Sequence, residues 1–320
     1  MRVVTFLRNW MLPIAMLSGA LAYIIYINLP ALASTHAFAR SAVSVLQPLL
    51  IFTMLFLSFC RVRVSDLRPC RWHIWLLIIQ VGSFALLALV SMLLPRDADY
   101  RILVESAMLC LICPTATAAA VVVRKLGGNS ANVITYTVLI NLMTALAVPV
   151  FVPLVHPQSG VSFVSAFLLI MGKVFPLLLC PLIAAFLVRY LLPALHRFLL
   201  KFQDLPFYLW AVALSIAIAM TTRSIYHTHL SLSYQVAIAV ISLVACFMQF
   251  YFGKKIGRQY GDSITAGQAL GQKNTVLAIW MGYTFFTPIT AIAGGFYSVW
   301  HNLANSWQLY KYRKGQGLDA

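Results

Sequence analysis

Ten apolar stretches, at residues 11–29, 41–60, 72–94, 101–126, 131–155, 166–192, 206–222, 232–252, 262–286 and 288–310, alternate with short polar connectors. As helices rising 1.5 Å per residue, and with tilt allowed for, each suits about 30 Å of hydrocarbon. The pattern predicts an all-α polytopic membrane protein with ten transmembrane helices. No connector is long enough to fold as a soluble catalytic domain. Arg2, Arg8 and Ala20-Leu21-Ala22 imitate a signal peptide, but the apolar run continues past them, so the first stretch is expected to be retained.

Two stretches break the helical pattern at matching places. The fourth contains Cys113-Pro114-Thr115-Ala116-Thr117, where proline removes a backbone donor and disfavours helix at the residue before it. The ninth contains Gly271-Gln272-Lys273-Asn274-Thr275, polar in the middle of an apolar span. Each is the fourth segment of a set of five. This predicts two five-helix repeats of inverted topology, residues 1–160 and 161–320, with discontinuous fourth and ninth helices crossing near the bilayer midplane.

Composition and charge sharpen the picture. At 62% apolar and 9% charged, the chain is no ordinary soluble domain. Its net charge of +16 could suggest nucleic acid, but the basic residues lie between apolar segments rather than on a folded polar face. With the N-terminus placed in the cytoplasm, 17 of the 23 Lys/Arg fall on the inner side. Arg40, Arg96, Arg101 and Arg223 fall outside, and Lys173 and Lys273 lie within apolar segments. This asymmetry predicts an inner-membrane protein with both termini cytoplasmic. Lipid and a small solute, not nucleic acid, are the expected partners, and no cofactor or metal motif appears.

Irregular backbone inside a bilayer is expected only where it lines a cavity. Half-helices following the breaks would present N–H groups near Thr115 and Thr117, and near Asn274 and Thr275, suited to a carboxylate or sulfonate. Half-helices preceding them would offer carbonyls to a cation. Lys273 is already a cation there. An intramembrane lysine costs roughly 2.5–3.5 kcal/mol at a helix centre, so a functional role is expected, with a tether to those carbonyls as the alternative. Lys173 reads as snorkelling. Glu105 either pairs with a basic group or carries a proton. Gln80 reads as an interhelical hydrogen bond rather than a ligand. His301 and Asn302 are polar and deep, Gln272 flanks the lysine, and Cys110-Leu-Ile-Cys113 has redox spacing without a redox fold around it.

At these residues the chain resembles a known family. Cys113-Pro114-x-x-Thr117, continuing to Gly128-Asn129, is similar to the fourth segment of the bile acid:sodium symporters. Gly271-x-x-Asn274 and Phe296-Tyr297-Ser298-Val299-Trp300-His301-Asn302 resemble the ninth and tenth. The resemblance implies alternating access, with a core from helices 3–5 and 8–10 and a panel from helices 1, 2, 6 and 7. It implies that Thr117, Asn274, His301 and Asn302 line the substrate cavity and that Gln80 and Thr137 occupy sodium-ligand positions. The family's other ligands are replaced. Ala119-Ala120 stand for a serine–asparagine pair, Val133 for a serine, Ala269 for a glutamate and Lys273 for a glutamine. Methyl groups cannot coordinate a hard cation, and two unit charges 4 Å apart at an effective dielectric of 20 repel by about 4 kcal/mol. The expectation is a sodium-independent secondary transporter of an organic anion, bile-acid-like or a small carboxylate. Lys273 would replace the bound ion, with protons as candidate partners. A sodium-coupled symporter with altered sites and a cation/proton antiporter are the alternatives.

Overall fold

The computed structural model describes residues 2–96, 98–157, 160–202 and 204–315, without the side chains of residues 2–10 and 12. Arg2 and Arg8, counted above as inner-side charges, therefore lie outside the described side chains, as does the tail of the second expected repeat from residue 316. Among the described residues the chain is all-helical. The helices are α1 (Arg2–Asn28), α2 (His36–Phe59), α3 (Arg71–Leu93), α4 (Arg101–Ile112), α5 (Ala119–Lys125), α6 (Ser130–Val155) and α7 (Phe163–Leu178). They continue with α8 (Cys180–Leu191), α9 (Pro193–Leu200), α10 (Leu205–His227), α11 (Leu232–Arg258), α12 (Ser263–Gly271), α13 (Thr275–Phe285) and α14 (Ala291–Gly315).

Among the described residues, five helices are long and apolar enough to cross a membrane: α2 with its preceding 3₁₀ turn, α3, α6, α10 and α11. Joined across a 41° bend, α7 and α8 make a sixth. The protein is a multi-pass membrane protein. The bend falls just before Pro181, which lacks the backbone N–H that would carry the hydrogen bond back to the Leu177 carbonyl. The expected fourth and ninth segments are each two helices, α4 with α5 and α12 with α13.

The chain divides into two compact units. The first comprises residues 1–61 and 180–229. In it Gly19 of α1 lies directly on the backbone of Ser215 in α10, an approach that a Cβ would block. Tyr23 Oη and His227 Nε2 hydrogen-bond at 2.8 Å between the same helices. The buried His196 contacts the Cys60 carbonyl through Nε2 at 2.8 Å.

The second unit, residues 62–179 and 230–320, holds both interrupted segments. One apolar cluster gathers Trp72 and Leu76 of α3, Ala119 and Val123 of α5, Val133, Tyr136 and Ile140 of α6, and Ala266, Ala269 and Leu270 of α12. Another gathers Cys110 of α4 with Cys246 and Phe250 of α11 and with Ala293 and Tyr297 of α14. Small residues set the spacing of α11 and α12: a Cβ on Gly257 would lie 2.6 Å from the Asp262 carbonyl oxygen.

Candidate functional site at the paired breaks

Pro114 has the predicted effect on its neighbour. Cys113 leaves the helix at φ −53°, ψ 128°. In the other segment Gln272 turns to φ −90°, ψ 104°. The two extended stretches meet. Ala116 N–H donates to the Gln272 carbonyl and Asn274 N–H to the Pro114 carbonyl, each at 2.9 Å, so Thr115 and Lys273 face each other as an isolated antiparallel bridge.

The carbonyls exposed by the breaks are met by side chains. Gln80 Nε2 donates to Cys113 O at 2.9 Å and to Ile112 O at 3.3 Å, while its Oε1 accepts from Tyr136 Oη at 2.8 Å. Thr144 Oγ1 also donates to Ile112 O, at 3.1 Å. Gln249 Nε2 reaches Cys110 O at 3.2 Å. On the other segment Tyr297 Oη donates to Gly271 O at 2.8 Å and Thr115 Oγ1 to Ala269 O. Unsatisfied backbone groups in hydrocarbon cost several kcal/mol each, which is why polar side chains from four helices converge here.

Lys273 takes no part in this capping. Its side chain is 1% exposed, and its Nζ hydrogen-bonds to no described group. Cys110, Cys113 and Cys246 are near enough to act on it electrostatically. The tether of Lys273 to helix-end carbonyls, the alternative carried from the sequence, is absent among the described residues: neutral donors already hold those oxygens.

The other candidates divide. Thr115, Gln272, Lys273 and Asn274 stand together at the bridge, with Gln80 one hydrogen bond away. Asn274 Oδ1 accepts from Leu277 N–H at 3.3 Å and so caps α13 itself. Thr275 is buried and Thr117 half-buried; α5 begins from Ala118 without a side-chain cap. Gln272 Oε1 and His301 Nδ1 are buried without a hydrogen-bond partner among the described residues. Asn302 turns to its own helix, donating to Ser298 O at 2.6 Å, and Thr137 does likewise toward Val133 O at 2.8 Å. Glu105 joins a different cluster. Its carboxylate lies 3.0 Å from Arg101 Nε and 3.1 Å from His156 Nε2, beside a cavity of about 550 Å³ lined also by Arg96, Asp99 and Thr287. Lys173 is exposed.

Sequence reasoning missed Thr144, Gln249 and Tyr297. Gln249 carried a weaker form of the Gln80 signal, an amide near the end of an apolar segment. The residues standing for sodium ligands also come together, but as hydrocarbon: Ala119, Val133 and Ala269 are wholly buried in the first apolar cluster, with Ala120 packed against it.

The sequence profile of the SBF-like CPA transporter family, related to the bile acid:sodium symporters, matches residues 9–297. No curated protein matches the chain.

Proposed function

Because the chain belongs to the SBF-like CPA transporter family, a family of membrane transporters, we propose that it is a sodium-independent secondary transporter of an organic anion. The substrate class is a bile-acid-like molecule or small carboxylate, moved by alternating access. The carrying observation is the buried, unpaired ammonium of Lys273 at the bridge between the two interrupted segments. When protonated, that side chain does electrostatically what a bound sodium ion does in the symporters: it raises the local potential for an anion. The alanine and valine side chains packed at the former ligand positions support the same reading, since they offer no oxygen to a hard cation.

In this proposal the ten segments form two inverted repeats, with α4–α5 and α12–α13 as the crossing helices, a core built around them and a panel from segments 1, 2, 6 and 7. Lys/Arg bias supports both termini inside an inner membrane. His301, Asn302, Thr117 and Thr275 would line the anion's path near Asn274. An inside-negative potential worth about 2.3 kcal/mol per charge per 100 mV drives anions outward, so loss of sodium coupling suits export as well as import.

The family's designation favours a second reading, a cation/proton antiporter. It lacks a carboxylate at the bridge among the described residues, Glu105 being paired with Arg101.

Thermal-shift screening of purified protein against organic anions, in sodium-free buffer, tests the proposal. Stabilisation by bile acids or small carboxylates without sodium is expected. Stabilisation that appears only with added sodium, or only with cations, would overturn it.

A further inference from the structure

Ser298, His301, Asn305 and Gln308 recur at intervals of three and four residues along α14 and therefore share one face. They extend over about 15 Å of helix. The first three are buried, although Leu303 and Trp307 on other faces are exposed. Side chains bridge this face to α12 in antiparallel order, Gln268 meeting Asn305 and Gly271 meeting Tyr297. Gln268 Nε2 donates to Asn305 Oδ1 at 3.0 Å and to Gln308 Oε1 at 3.5 Å, while Tyr297 Oη donates to Gly271 O near the bridge.

Buried polar atoms in proteins are nearly always hydrogen-bonded, to protein or to ordered water. Here Gln268 Oε1, Gln272 Oε1, Ser298 Oγ, His301 Nδ1 and Lys273 Nζ find no hydrogen-bond partner among the described residues. Tyr297 links the row to the lysine. Its ring lies 5.9 Å from that of His301, its hydroxyl accepts from Gln249 Nε2 at 3.0 Å, and it shares the neighbouring thiols of Cys110, Cys113 and Cys246 with Lys273. Beyond Gln308, α14 ends in Lys311, Arg313 and Lys314, and Lys311 acts electrostatically on Lys254 of α11.

We propose that this seam between α12 and α14 is a water-filled conduit carrying protons between Lys273 and the basic end of the unit, which makes the proton the coupling ion. The proposal rests on the transport reading above. A proton entering from bulk passes along water and the His301 and Tyr297 groups and forms a third N–H bond on the neutral Lys273 amine; release reverses the step. Only N–H and O–H bonds form and break, and nothing is oxidised or reduced. Asn305, Gln268 and Gln308 order the water and do not themselves carry the charge. The titratable groups acting on Lys273 are Cys110 of α4, Cys113 just after it and Cys246 of α11, with Tyr297 of α14 hydrogen-bonded to Gly271 O two residues before the lysine and His301 beside Tyr297.

Hydroxyl-radical footprinting of the unmodified protein in liposomes tests for water directly, because Tyr136 supplies an internal control. It is as buried as Tyr297, but its hydroxyl is bound to Gln80, away from the α12 and α14 side chains of the row. Tyr297 should oxidise well above Tyr136, and Asn305→Leu should abolish the difference in protein that still unfolds cooperatively. Taurocholate uptake, as the probe, should lose its response to an imposed pH gradient in the same variant. Equal protection of both tyrosines overturns the conduit, as does pH-driven uptake that survives Asn305→Leu. Failure of every organic anion to bind the unmodified protein strikes the transport reading instead, and the tyrosine comparison still decides whether the seam is wet.

Discussion

Replacing Lys273 by methionine separates a functional lysine from a structural one by the sign of a stability change. The ammonium is 1% exposed and makes no hydrogen bond to a described group, so its removal breaks none. Methionine keeps most of the stem's volume, and substitutions that conserve volume cost little. What is removed is the penalty of holding a charge at a helix centre in the membrane, roughly 2.5–3.5 kcal/mol. After a small repacking loss, the variant should be about 2 kcal/mol more stable. At about 2 °C per kcal/mol for a large chain, the unfolding midpoint should rise by roughly 4 °C. Scanning fluorimetry of purified protein reads this, and uptake in proteoliposomes reads activity on the same preparation. The expected result is a protein that is more stable yet inactive. A midpoint that falls would mean that Lys273 tethers the breaks after all, and undiminished uptake by Lys273→Met or Lys273→Gln would remove the lysine from the mechanism.

Further outcomes follow from the same geometry. Gln80→Leu removes both amide bonds to the end of α4 and leaves Tyr136 Oη unpaired; at about 1–3 kcal/mol for an orphaned buried group, its midpoint should fall, and an unchanged melting curve would contradict the capping role. Gly257→Ala drives a Cβ against Asp262 O and Ala266 Cβ, so a loss of about 1–3 kcal/mol is expected from overpacking, read by denaturation in detergent. Burial, and then the negative charge of Asp262, push the Cys70 thiol above its ordinary 9.0. Because the thiolate is the nucleophile, its alkylation by iodoacetamide should lag a free thiol near neutral pH. Asp262→Asn should move the rate profile back toward lower pH, and a profile matching free cysteine would refute the assignment.

Both breaks were legible in the sequence because each has a local cause, Pro114 in one segment and an uninterrupted polar run in the other. Their meeting was expected from their matching rank among ten predicted segments, and the Thr115–Lys273 bridge does join them. The bend between α7 and α8 carried the same kind of signal in Cys180-Pro181, but it was hidden in a continuous apolar stretch. Which groups cap the exposed carbonyls could not be read, because Gln249 and Tyr297 lie far along the chain from Cys110 and Gly271 respectively, in separations only the fold resolves. Isolation of the Lys273 ammonium was equally hidden: the sequence placed a cation beside free carbonyls, and only the three-dimensional arrangement gives those carbonyls to neutral donors. Glu105 had its partner four residues away in Arg101, a spacing that favours an ion pair on a helix.

Uptake of a stabilising organic anion into proteoliposomes, with sodium replaced throughout by potassium and with or without a pH gradient, bears most directly on Lys273 as the substitute for a metal ion. Full uptake without sodium, accelerated by the pH gradient, is the predicted result. Uptake that requires sodium and ignores the pH gradient would contradict it.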